Sequence, residues 1–110
     1  MIMYVIDNEK DKIRFEDAAI FFTIDRKEQA VDFASVRQLS ILTSDRGPAE
    51  CDTALAIFTD EEIYIINAEN DRYSELLFDV FGKQFPIDYS TVISASACCD
   101  NVEFIIYERR

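Results

Sequence analysis

The chain has 110 residues, a single-domain length, and its 49% hydrophobic content with only 2 Gly and 2 Pro lets it bury a core without staples or linkers. A formal net charge of −11 at pH 7 repels phosphate backbones and anionic membrane surfaces, so neither nucleic acid nor membrane is expected as a partner. With no His and no Trp, hydrolases that use a histidine base and histidine metal sites are excluded, and the two glycines cannot form a phosphate-cradling loop.

In chain order, residues 2–6 form a short apolar run that stops at Asp7-Asn8-Glu9-Lys10-Asp11-Lys12, and residues 13–15 then alternate briefly, the pattern of a hairpin. Residues 19–24 are rich in β-formers, break at Asp25-Arg26-Lys27-Glu28 and resume over residues 29–33, which predicts a second hairpin. Residues 39–43 are a further strand, ending in Thr43-Ser44-Asp45-Arg46-Gly47-Pro48, where Gly and Pro predict a loop. Residues 53–59 and 62–67 flank Asp60-Glu61 as two strands of one hairpin. Both faces of the first are partly apolar, so it is expected to be central, with Ala54 and Ala56 leaving room for a helix to approach.

Beyond Asn70, the apolar positions Tyr73, Leu76, Leu77, Val80 and Phe81 recur at helical spacing, with Asp71 as expected N-cap and Gly82 just past the C-terminus. Asp88 is placed to cap a second helix running to about Cys98 and burying Tyr89, Val92, Ile93 and Ala97. Residues 102–108 read as a closing strand, central because both of its faces are apolar. The order predicts one α+β domain over residues 1–110, an antiparallel or mixed sheet of about six to seven strands with two helices on one face. Pleckstrin-homology-like barrels share the strands-then-helix order, but two helices followed by a strand do not fit their single closing helix.

No apolar run approaches the ~20 residues needed to cross a bilayer. Residues 1–6 lack the basic front and cleavage site of a signal peptide, so a cytoplasmic protein is expected. Cys51 stands alone and Cys98-Cys99 are adjacent, unlike the spaced pairs of a secreted framework, and all three are read as reduced thiols that fill space.

Thr43-Ser44-Asp45-Arg46-Gly47-Pro48, followed by Asp52, Asp60-Glu61, Leu76-Leu77, Ile87-Asp88, Val92-Ile93-Ser94-Ala95 and residues 101–109, resembles a group of small bacterial proteins of unassigned function. The resemblance covers the C-terminal two thirds of the chain. It implies a bacterial intracellular domain and no activity.

Carboxylates, tyrosines and thiols are what remain for chemistry, and no catalytic constellation emerges, so no enzyme is expected. Asp7, Glu9 and Asp11 alternate like calcium ligands. However, Lys12 stands where a calcium loop needs Gly and Ala18 where it needs Glu, so the segment reads as a solvated turn. Adjacent Cys98 and Cys99 do not have the spacing of a zinc knuckle, and no metal or cofactor is expected.

The negative charge is concentrated instead. From Asp45 to Asp79 ten carboxylates face only Arg46 and Arg72. Asp45, Arg46, Glu50 and Asp52, stiffened by Gly47-Pro48, form the expected partner-binding loop, joined by Asp60, Glu61 and Glu62 at the next turn. The bland alternative is a pair of ordinary β-connections whose carboxylates bond backbone amides. A single-signed field of this kind fits a basic protein partner. The expectation is an acidic protein-interaction domain, most concretely an immunity-type inhibitor that covers the basic surface of a toxin or nuclease. The alternatives are a small-molecule-binding regulatory domain, suggested by the nine Phe, and a homo-oligomeric structural domain such as a homodimer.

Overall fold

The computed structural model describes residues 2–45, 51–98 and 100–109. Its strands are β1 (Ile2–Val5), β2 (Lys12–Phe15), β3 (Ala19–Ile24), β4 (Lys27–Asp32), β5 (Gln38–Asp45), β6 (Cys51–Phe58), β7 (Glu62–Asn67) and β8 (Val102–Glu108). Between β7 and β8 lie helix α1, a π-helical stretch Glu75–Val80 continuing as α-helix over Phe81–Gln84, and helix α2 (Tyr89–Ser96). The architecture is α+β, with the strands divided between a five-stranded mixed sheet, ordered β1-β7-β6-β5-β8, and a three-stranded antiparallel sheet, β2-β3-β4. Among the described residues no helix is long and apolar enough to cross a membrane.

The expected β3–β4 hairpin forms, tightened to a two-residue turn in which Asp25 and Arg26 take φ of 51° and 68°. Positive φ at both positions is the type I′ geometry that matches strand twist. The expected β1–β2 hairpin does not form. β1 pairs in parallel with β7, Tyr4 opposite Tyr64, while the polar turn after it closes through Asp11 N–H to Asp7 O and directs the chain into the second sheet. The Asp7 carboxylate accepts the N–H groups of Glu9 and Lys10, which lowers its pKa, and Asp11 accepts the N–H of Asp7, so this segment is a turn built by its own acids.

Strand alternation sorts the five-stranded sheet into two faces. Inward lie Tyr4, Tyr64, Ile66, Leu55, Ile57, Leu39 and Ile41, and everything else in the fold packs on that side. Phe22 of β3 stacks on Tyr64 at 4.8 Å between ring centres, and Tyr4 stacks on its other side at 5.1 Å, so three rings join the two sheets. Helix α1 buries Leu76, Leu77 and Phe81, with Phe33 meeting Phe81 and Phe85 edge-on.

Two helix boundaries differ from expectation. Asp71 is not the cap of α1, and Gly82 lies inside the helix, where its missing side chain leaves room for Tyr89: a Cβ there would overlap the Tyr89 hydroxyl. Asp88 does cap α2, accepting Thr91 N–H at 3.2 Å and the hydroxyls of Ser90 and Thr91 at 2.7 Å, bonds that lower its pKa. The buried face of α2 is Val92 and Ala95, whereas Ile93 is 69% exposed and Tyr89 and Ala97 also face out, contrary to the expected pattern.

β8 is an edge strand, not a central one. A register shift opposite Leu39–Ser40 brings both Ile106 and Tyr107 to the core, and the Ile106 carbonyl accepts the N–H of Asp88, tying the bulge to the start of α2. This bulge explains why both parities of β8 read as apolar. Ala54 and Ala56 also have a different role from the one expected. They lie on the outward face, which carries no helix among the described residues.

Candidate protein-binding surface

The acidic stretch that is continuous in sequence is divided by the fold. β5 and β6 pair as far as Ser44 opposite Asp52 and Asp45 opposite Cys51, so the strands extend beyond the expected loop boundary at Thr43. Arg46 and Glu50 lie outside the described residues, as do the side chains of Asp45 and Asp52. Asp60, Glu61 and Glu62 stand at the other end of β6, about 20 Å along the strand. The two parts of the expected site are therefore not brought together.

The Asp60 turn is internally satisfied. Asp60 Oδ1 lies 3.3 Å from Arg37 Nε and 3.7 Å from Arg109 Nη2, while Thr59 Oγ1 accepts the N–H of Glu62 at 3.1 Å. Glu62 Oε2 receives the Tyr64 hydroxyl at 3.1 Å, and Gln29 Oε1 stands at the same distance from it. Burial pushes the Tyr64 phenol well above its usual pKa, helped by the neighbouring Glu62 charge and hydrogen bond. At this turn Asp60 and Glu62 thus hold structure. Glu61 is exposed.

A different acidic surface emerges between the β2–β3 connection and α1. Glu16 and Asp17 on one side and Glu75 and Asp79 on the other border a groove of about 460 Å³, walled by Phe15 and Phe33, with Lys83 as the cation in its lining. Arg14 pairs with Glu16 at 2.8 Å and Arg72 with Glu75 at 2.8 Å, while the Arg72 guanidinium also sits 5.5 Å from the Phe15 ring centre. Arg72, outside the groove's lining, shows how a guanidinium sits on this part of the surface, with one carboxylate beside one aromatic face. Glu75 and Asp79 belong to the acidic stretch noted in the sequence. Glu16 and Asp17 gave no signal there, because only the packing of the second sheet against α1 brings them opposite that helix.

Among the described residues no group of three or more Cys, Asp or Glu side chains is arranged to hold a metal ion. Cys98 is a free, half-buried thiol just past α2, its Sγ 3.7 Å from Thr43 Oγ1. The Thr43 hydroxyl also bonds the Asp100 carbonyl, so this corner locks the α2–β8 connection onto β5. Cys99 and the Cys51 side chain lie outside the described residues.

No family model, no curated protein and no solved structure matches the chain.

Proposed function

We propose that this chain is a non-catalytic protein-interaction domain that covers a basic surface of another protein, most concretely an immunity-type inhibitor of a basic toxin or nuclease. The observation that supports it best is the groove between the β2–β3 connection and α1, where Asp17 and Asp79, the two of its four carboxylates not paired with Arg14 or Arg72, line the same groove as Phe15 and would receive a lysine or arginine side chain. A nuclease must be basic to hold nucleic acid, and a domain of net charge −11 is drawn to such a surface while nucleic acid itself is repelled. The acidic stretch holding Asp45, Glu50 and Asp52, and the exposed Glu61, supply in this reading the charges that steer a basic partner. A cytoplasmic location and a bacterial source belong to the same reading.

The test is association of the purified chain with the basic product of the adjacent reading frame, followed over a range of salt. Asp17→Asn with Asp79→Asn should slow association about tenfold and leave the fold intact, and rising salt should weaken binding of the parent. Binding that ignores both salt and the double substitution would refute the reading.

A further inference from the structure

The strands at the edges of the two sheets are not guarded alike. β8 carries a bulge together with Glu103 and Glu108, β2 carries Lys12 and Arg14, and β4 carries Lys27, Glu28 and Asp32, the charges and irregularities that keep an edge from pairing with another chain. β1, Ile2-Met3-Tyr4-Val5, has no charge, no proline and no bulge. Ile2, Met3 and Val5 are 56%, 58% and 64% exposed, so apolar side chains stand open on both faces of this strand.

The backbone of β1 is only half used. The N–H groups of Ile2 and Ile6 donate to the carbonyls of Glu61 and Ile65 at 3.0 and 2.9 Å, so alternate residues bond β7. Met3 and Val5 therefore turn their N–H and C=O groups the other way, where no strand lies among the described residues. Such a row of alternating donors and acceptors is matched by an extended backbone. We infer that β1 takes up an extended segment of the basic protein partner as a sixth strand of this sheet. The inference rests on the reading of the chain as a cover for a basic protein, and adds the place where that partner's main chain is held.

Charge selects a basic segment over a second copy. At the N-terminal end of β1 the register places Glu61 and Glu62 beside Ile2, and beyond its C-terminal end Asp7, Glu9 and Asp11 outnumber Lys10 and Lys12. The β3–β4 hairpin reaches this part of the molecule through Gln29, which meets the Tyr64 hydroxyl, and its turn sets Asp25 and Glu28 against Arg26 and Lys27, with no net charge. A strand with apolar residues at its centre and Lys or Arg at its ends thus matches β1 in hydrogen bonding, in apolar contact and in charge. A second β1, paired antiparallel about a twofold axis, would bring the Asp7–Glu9 end of each copy to the Glu61–Glu62 end of the other, where like charges oppose it.

The test is amide hydrogen exchange of the full chain, followed by NMR, with a short peptide of valine and threonine flanked by lysines as the probe. The peptide should bind with a Kd on the order of 100 μM and slow exchange at Met3 and Val5 more than about tenfold, leaving Tyr4, already bonded to β7, unchanged. The same peptide with every amide N-methylated should not bind, and a glutamate-flanked version should bind about tenfold more weakly at low salt. Met3→Pro and Val5→Pro each remove an outward N–H that β7 does not use, so both should keep the thermal melt near that of the parent and weaken the peptide about tenfold. A lysine-flanked peptide that leaves Met3 and Val5 exchanging as before overturns the inference, and so does binding indifferent to N-methylation or to both proline variants. Protection of Met3 and Val5 that grows with the concentration of the chain alone gives β1 to a second copy and overturns it as well. A basic partner that is slowed by Asp17→Asn with Asp79→Asn, but binds both proline variants as it binds the parent, keeps the groove reading and overturns this one.

Discussion

Tyr64 is the joint between the two sheets, and Tyr64→Phe tests whether its hydroxyl or its ring holds them. The side chain is 1% exposed, stacked between Tyr4 and Phe22, and its hydroxyl meets Glu62 and Gln29. A hydrogen bond to a charged group contributes about 1.5–3 kcal/mol, but Glu62 is only half-buried and water can partly replace the lost donor. The expected loss is therefore about 1–1.5 kcal/mol at neutral pH, a fall of roughly 5 °C in Tm for a domain of this size. Because the folded phenol ionises less readily than the unfolded one, the parent's stability is intact below the usual tyrosine pKa near 10 and falls as pH rises above it. Half-buried Tyr73, whose phenol is also raised by desolvation against an opposing bond to Thr53, contributes the same slope in both proteins. The gap between parent and variant should thus narrow in alkali. Urea melts followed by circular dichroism at neutral and alkaline pH measure both effects. A variant as stable as the parent at pH 7, or a gap that widens with pH, would show that the hydroxyl network is not what closes the sheets.

At the β3–β4 turn, Arg26→Gly should stabilise the fold by about 1 kcal/mol in denaturant melts, because Arg26 carries a Cβ in the left-handed region that glycine occupies without strain. An unchanged or lowered midpoint would argue that the turn is not strained. In α1, Gly82→Ala should gain much less than the ~1 kcal/mol of helix propensity, since the new methyl displaces Tyr89 from its stack on Phe78. The same change made in a Tyr89→Phe background should recover most of that gain, and equal effects in both backgrounds would deny the contact.

What was legible in the sequence is what local chemistry decides. Asp88 reads as a cap and is one, because its carboxylate serves amide and hydroxyl donors within three residues of itself. The β3–β4 pairing reads correctly because two β-rich runs sit beside a charged break, although without an Asn-Gly pair the two-residue turn gave no sign of itself. Partner choice over distance was not legible. β1 offers four apolar residues to any sheet edge, and a polar turn soon after it reads as a hairpin, whereas β7, sixty residues on, supplies Tyr64 to stack on Tyr4. Gly82 read as a stop because glycine often follows a helix, but here its missing Cβ serves a neighbour across the surface. Nor is charge adjacent in sequence necessarily adjacent in space: Asp60, Glu61 and Glu62 follow the far end of β6 from its start at Cys51.

The one-sided architecture gives the charge pattern a physical logic. A sheet with both helices and a second sheet on one face leaves its other face as the place where apolar area collects, with Glu103 and Glu108 along its β8 edge. A net charge of −11 sets copies that meet in random orientations against each other, despite the exposed Met3, Val5 and Ile105. If the groove receives a basic partner, that contact should loosen as salt rises, so a titration of ionic strength separates it from a contact made by apolar surface.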